Sequence, residues 1–238
     1  NRKNIGVIKM EICRNTEPNI KFLKKVRKLA TKNRVVLIFD ECTTGFRGNF
    51  GGLHKKINIT PDICIFGKTL GNGYAITSVI GKRDVMECAN NSFISSTFWT
   101  ERIGPTAGLK SIEVMKNIKS WQVVNKIGNK IRKGWKDLFN TYKLKVKING
   151  IPSLSNFIFD SKNHQAYKTL ITQEMLKKNF LSTNTIYPCV KHSDKFIDMY
   201  FNNFEKVVKI ISDCENDKQD LKKCLDNEIS MRDFYRYN

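Results

Sequence analysis

Apolar positions in the first hundred residues switch between two spacings. Residues 5–12 (Ile-Gly-Val-Ile-Lys-Met-Glu-Ile) read as an extended segment, whereas between Pro18 and Ala30 the residues Phe22, Val26 and Leu29 recur at three and four. The first pattern predicts a strand and the second an amphipathic helix with those three side chains inward. Val35 to Phe39 is a continuous apolar run, the pattern of a strand buried on both faces of a parallel sheet. Strand, helix and strand make a βαβ unit. Two further apolar segments, 63–66 and 75–80, follow with glycine-containing turns between them, so the first part of the chain is of the α/β class.

The spacing then becomes helical for a long stretch. From Pro105 to about Phe139 the positions Leu109, Ile112, Met115, Ile118, Trp121, Val124, Ile127, Ile131, Trp135 and Leu138 predict one long helix or two consecutive ones. Residues 144–148 alternate strictly and run into Asn149-Gly150, a strand entering a turn, with residues 157–159 as its neighbour. A helix over about 165–178 ends at Asn179, which tolerates a left-handed cap. Another starts near Asp194 with Ile197, Tyr200, Phe201, Phe204, Val208 and Ile211 inward. Residues 140–238 therefore read as a second, smaller α+β domain. The chain shows no internal repeat and no low-complexity linker.

Composition narrows the function classes. With 238 residues, 40% hydrophobic and 27% charged, the chain is long enough to bury a sizeable core and is not disordered as a whole. Its longest purely apolar run is far short of the roughly 20 residues of a membrane helix, so we expect no membrane span and no signal peptide. It begins with Asn1 rather than Met. Seven scattered cysteines without a Cys-x-x-Cys pair point to a reduced, cytoplasmic compartment, and with three histidines no zinc constellation is expected. The net charge of +20 comes from 32 Lys and 10 Arg spread along the chain. Lysine in excess of arginine, not gathered with aromatics, reads as a solvated surface rather than a nucleic-acid interface.

Candidate chemistry sits at one place. Asp40 and Glu41 stand at the carboxyl end of the continuous apolar strand, where open α/β sheets bind their ligands. Lys68 ends the next apolar segment, so a carboxylate and an amine are expected to leave neighbouring elements on one edge. Spacing alone leaves two meanings open, a buried ion pair or a catalytic pair. Gly71 and Gly73 form a lone Gly-x-Gly, weak evidence for a dinucleotide, and there is no Walker A pattern. Glu41 and Arg47 read as structural. His54, His164 and His192 are isolated from one another in the sequence and receive no role.

The wording around these residues is more specific. Leu37 to Arg47, Gly51-Gly52, Thr60 to Asp62, Gly67-Lys68 with the following glycines, residues 93–102, Gln173 to Leu176 and Tyr187 to Asp194 together resemble the class III aminotransferases. These are fold-type I enzymes that use pyridoxal 5'-phosphate, and the resemblance looks closest to the glutamate-1-semialdehyde 2,1-aminomutase branch. It implies a partial large domain with a mainly parallel sheet over 1–105, a connecting helix over 106–139 and a small α+β domain over 140–238. It places Lys68 at the position of the aldimine lysine, which also moves the substrate proton, and burial would activate such an amine by lowering its pKa. Asp40 matches the partner of the pyridinium nitrogen, which keeps the ring an electron sink. Thr97 matches a residue that reaches the cofactor phosphate from the partner subunit of a homodimer, with Ser95 and Ser96 beside it. Thr43 stands near the phenolic oxygen, where relatives carry Gln or Met. Glu11 has a counterpart near the site, and Phe98 and Trp99 line either a substrate channel or a dimer interface.

The implied activity is amino-group transfer on an amino acid or other small amine. Aminomutation with the same cofactor chemistry, or a noncatalytic homologue, are the alternatives. Members of the family are nearly twice as long, and the resemblance begins just before the strand that leads to Asp40. It implies that the amino-terminal half of such an enzyme lies outside this sequence, as in a fragment or a natural truncation.

Overall fold

The β-rich run Val36–Asp40 forms β2, an inner strand of a four-stranded sheet ordered β1-β2-β3-β4. The computed structural model describes residues 4–231. Strand β1 (Val7–Glu11) pairs with β2 in parallel, as does β3 (Ile63–Phe66), while β4 (Ser78–Gly81) runs antiparallel to β3. The reversal has a local cause. A parallel return needs a crossover of about a dozen residues or more, usually helical. The chain leaving β3 makes only a 3-10 turn at Lys68–Leu70 and then bends at Asn72 and Gly73, with φ of 47° and 107°.

Helix α1 (Ile20–Lys32) is the crossover between β1 and β2, started by the Asn19 side chain, which accepts from the Phe22 amide. Its inward stripe differs from the expected one: Leu23 and Ala30 are buried, whereas Phe22 and Leu29 are exposed. Both stripes have helical spacing, so periodicity could not choose between them. Ala30, without a long side chain, lets the helix approach the sheet closely. The run 35–39 also differs from its prediction. Leu37 and Phe39 are sealed on one face, but Val36 and Ile38 on the other are only half-buried. Asp62 fastens this region. Its carboxylate accepts from Arg27 of α1 at 2.7 Å, from the Leu37 amide of β2 at 2.9 Å and from Lys82 at 2.7 Å.

Between β2 and β3 lies the short α2 (Leu53–Ile57), and after β4 come α3 (Arg83–Met86) and a 3-10 turn at Glu87–Asn91. Helices α4 (Ile103–Ile118) and α5 (Ser120–Thr141) are two consecutive helices, separated where Lys119 takes a left-handed φ of 49°.

The described chain divides into two units, the first ending at residue 125 and the second starting at 126. The second holds an antiparallel sheet ordered β5-β6-β7, from β5 (Val146–Asn149), β6 (Ser155–Phe159) and the two-residue β7 (Thr185–Ile186). Helices α6 (His164–Leu176), α7 (Asp194–Glu215) and α8 (Leu221–Cys224) complete it. Strand β7 is too short for any periodicity to announce it. The turn between β5 and β6 needs Gly150, whose φ is 79° and whose hypothetical Cβ would lie 2.1 Å from the Leu154 carbonyl. Asn179 takes the left-handed conformation just beyond α6, at φ 63°. The core gathers Trp135, Phe139, Phe157, Tyr167 and Phe204, and the Trp135 indole donates to the Tyr200 hydroxyl at 2.9 Å. Among the described residues no helix is long and apolar enough to cross a membrane.

Candidate active site

Parallel pairing of β2 and β3 brings their carboxyl ends together. Asp40, the last residue of β2, stands in register between Glu11 of β1 and Ile65 of β3. Lys68 follows β3 by two residues and opens the 3-10 turn with a positive φ of 45°. Such a backbone costs a non-glycine residue on the order of 1–3 kcal/mol and is concentrated at functional positions. The Lys68 amine donates to the Thr43 hydroxyl at 2.6 Å, so Thr43, from the turn after β2, faces the lysine across the strand ends.

Asp40 takes its ion pair from Lys9 at 3.0 Å, one of the two meanings left open above but with a different partner, and it accepts from the Cys42 amide at 3.1 Å. Burial alone would raise the Asp40 carboxyl; the hydrogen bonds from Lys9 and Cys42 outweigh it and hold the carboxyl below its ordinary value. Asp40 therefore stays ionised at neutral pH. The Cys42 thiol is pushed up, by burial first and then by Asp40. The burial expected of Lys68 is not found here: its side chain is exposed. Two buried oxygens lack a hydrogen-bond partner, Oε2 of Glu11, the register partner of Asp40 on β1, and Oγ1 of Thr69, the residue after Lys68. A carboxylate, an amine and a hydroxyl gathered at the strand ends suit a polar, ring-bearing ligand such as pyridoxal phosphate.

Ser96 and Thr97 lie in the exposed segment between the 3-10 turn at Glu87–Asn91 and α4. Ser96 is spent locally, its hydroxyl accepting from the Phe98 amide at 3.2 Å. Among the described residues no hydrogen bond joins Ser96 or Thr97 to Asp40, Thr43 or Lys68. Phe98 and Trp99 are largely exposed on the same segment.

His54, which the sequence left without a role, is not isolated. Its Nδ1 lies 2.7 Å from Oε1 of Glu41, and Cys64 Sγ lies 3.5 Å from that nitrogen. Glu41 is fully buried and accepts from the amides of Leu53 and His54 and from the Thr44 hydroxyl, so it holds the start of α2. That is a structural task, as expected. No sequence signal joins Glu41, His54 and Cys64, since residues 13 and 10 positions apart meet only through the β2-α2-β3 connection. Lys9 was legible in principle, because in parallel register it is the same-face neighbour next to Glu11 on β1.

Ligand chemistry at the carboxyl ends of parallel strands, with an acid after one strand and a lysine after the next, defines a small-molecule site of an α/β enzyme fold. A model of the family Aminotransferase class-III matches residues 15–208, and the chain belongs to that family. It is 32% identical over 184 residues to a 3-aminobutyryl-CoA aminotransferase of Cloacimonas acidaminovorans, covering 75% of this chain and 44% of that one. It is 34% identical over 148 residues to a glutamate-1-semialdehyde 2,1-aminomutase of Methanococcoides burtonii, covering 61% and 35%. Among solved structures, the FumI protein of Sphingopyxis sp. MTA144, in its PLP internal aldimine form, superposes with a TM-score of 0.83 at 16% identity, over 93% of this chain and 55% of that one. An omega-transaminase from Sphaerobacter thermophilus does so with a TM-score of 0.80 at 17% identity, over 87% and 52%. The fold is thus that of fold-type I transaminases. The chain spans less than half the length of these curated relatives.

Proposed function

We propose that the chain serves pyridoxal phosphate-dependent amino-group transfer on a small amine or amino acid, with Lys68 and Asp40 as its central residues. The observation that carries this reading is the placement of Asp40 and Lys68 at the ends of adjacent parallel strands, with Lys68 held on Thr43. When bound, the cofactor supplies an electron sink for the negative charge that develops on the substrate carbon. Asp40, kept ionised by Lys9 and the Cys42 amide, is suited to hold the proton on the pyridinium nitrogen. Lys68 is the amine that would hold the cofactor and, once displaced, carry the proton to and from the substrate carbon. Its side chain is exposed at the sheet edge, with the Nζ donating to Thr43. Thr43 orients that amine, and Thr43 is also the hydroxyl available to the phenolic oxygen. Ser96 and Thr97, on an exposed segment, suit a phosphate contact made toward the partner subunit of a homodimer. The same reading keeps 1–105 as part of the cofactor-binding domain, 106–139 as the connection, folded as the two helices α4 and α5 instead of one, and 140–238 as the small domain, in a cytoplasmic enzyme.

Borohydride reduction in the presence of pyridoxal phosphate, followed by peptide mapping, tests it. Selective labelling of Lys68 among 32 lysines is the expected result, lost in Lys68→Ala; labelling spread over many lysines overturns the assignment. The similarity to the Methanococcoides burtonii aminomutase supports a second reading, 1,2-amino migration. A transaminase needs an added amino acceptor for turnover, whereas an aminomutase turns over without one.

A further inference from the structure

We propose that Glu41, His54 and Cys64 form a binding site for one borderline-soft divalent cation, of which zinc is the type. The site is separate from the Asp40 and Lys68 pair, and the inference does not depend on the cofactor reading. Three different donors converge from three elements: a carboxylate just after β2, an imidazole on α2 and a thiol on β3. The distances are 2.7 Å from Glu41 Oε1 to His54 Nδ1, 3.5 Å from His54 Nδ1 to Cys64 Sγ and 3.8 Å from Cys64 Sγ to Glu41 Oε1. A triangle with these sides has a point about 2 Å from every corner, which matches zinc bonds of about 2.0–2.3 Å to oxygen, nitrogen and sulfur.

The supporting groups are already in place. Oε2 of Glu41 takes the Leu53 amide and the Thr44 hydroxyl, and the His54 amide lies 3.1 Å from Oε1. Outer bonds of this kind orient a ligating carboxylate. Gly52 sets the ring against the acid, since a Cβ there would lie 2.2 Å from His54 Nδ1 and 2.6 Å from Glu41 Oε1. Glu41 and Cys64 are buried, and the His54 side chain, 14% exposed, leaves an approach from solvent.

Charge and proton balance favour a cation over the other use of a Cys and His pair, a nucleophile with its base. Burial first, and then Glu41, push the Cys64 thiol up to about 12, the wrong direction for a nucleophile near neutrality. A divalent cation reverses that local preference. The S–H proton leaves to solvent, and an imidazole that binds the cation through Nδ1 carries its hydrogen on Nε2. Carboxylate, thiolate and cation then sum to zero, with one proton released per cation bound and no redox change.

The test uses the full chain, stripped of metal with a chelator and titrated first with cobalt(II) and then with zinc. One equivalent of cobalt should produce a near-ultraviolet thiolate charge-transfer band that zinc abolishes. Cys64→Ser should eliminate the band, and both Cys64→Ser and His54→Gln should weaken zinc binding at least about tenfold while keeping the metal-free circular dichroism of the wild type. Absence of the band in the wild type overturns the proposal whether or not the variants fold. So does zinc binding of undiminished affinity in Cys64→Ser or His54→Gln, which would place the metal on other residues.

Discussion

The two units of the chain are held by different kinds of interaction. In the second, an antiparallel sheet and the facing helices enclose aromatic side chains, with Trp135 and Phe157 fully buried and their ring centroids 4.8 Å apart. Phe157 also meets Phe139 and Phe204 at 5.0 and 5.9 Å. In the first, one face of the sheet is sealed by residues such as Leu37 and Phe39, but Val7 on one edge strand and Val79 on the other are each about half-exposed, at 52% and 51%. Polar fasteners compensate there: Asp62 joins α1, β2 and the residue after β4, and Glu41 holds α2. The closed aromatic core depends mainly on shape. The open sheet leans more on charge, and it is the region that carries the candidate site residues Asp40 and Lys68.

This contrast can be broken from either side. The largest effect should come from Trp135→Ala, which empties a fully buried site and strands the Tyr200 hydroxyl. A loss of about 3–5 kcal/mol is expected, read as accelerated hydrogen exchange in β6 and α7 with β2 unaffected. Equal acceleration in both units would show one cooperative core instead of two.

A smaller effect belongs to Asp62. Burial raises its carboxyl, but the Lys82, Leu37 and Arg27 hydrogen bonds prevail and hold it at about 2 against an ordinary 3.8. Because the folded value is depressed, the stabilisation is complete above about pH 4 and is lost as pH falls from 3.8 toward 2. It amounts to about 2 kcal/mol. Hydrogen exchange of β2 should therefore accelerate between pH 4 and 2, beyond its intrinsic pH dependence, while that of β6 does not. Asp62→Asn should show the accelerated β2 exchange already at pH 6 and remove the pH dependence in that window.

The smallest effect should follow Lys130→Ala. Lys130 bridges Asp194 at 2.8 Å and Asp198 at 3.4 Å, all on the surface of the second unit. Exposed pairs of this kind contribute little and are screened by salt. The denaturation midpoint of Lys130→Ala should match the wild type in high salt. A substantial loss there would mean that the second unit also leans on charge.

Periodicity made most elements legible, because hydrophobic spacing reports which face is buried. Helix α7 shows this well: Ile197, Tyr200, Phe204, Val208 and Ile211 are all buried as their spacing requires. Helix α1 shows the limit, since two stripes of equal spacing competed and the one with Ala30 faces the sheet. Strand β7 and helix α2 were too short to carry a period. Within the candidate site, Asp40 and Lys68 were legible from their positions after apolar strands. Their surroundings were not, because Lys9 reaches Asp40 across the β1-β2 register and Thr43 meets Lys68 across 25 residues.

The sequence by itself determined the βαβ start, the long helical stretch after residue 105, the α+β character of the second half and the family, since these rest on local spacing and on residue types in fixed order. Tertiary structure decided what distance along the chain cannot express. It turned β4 antiparallel, gave Asp40 to Lys9, left Lys68 exposed and brought Glu41, His54 and Cys64 within bonding reach of a single point. Those outcomes depend on strand register and chain reversal, which place side chains from separate segments beside one another.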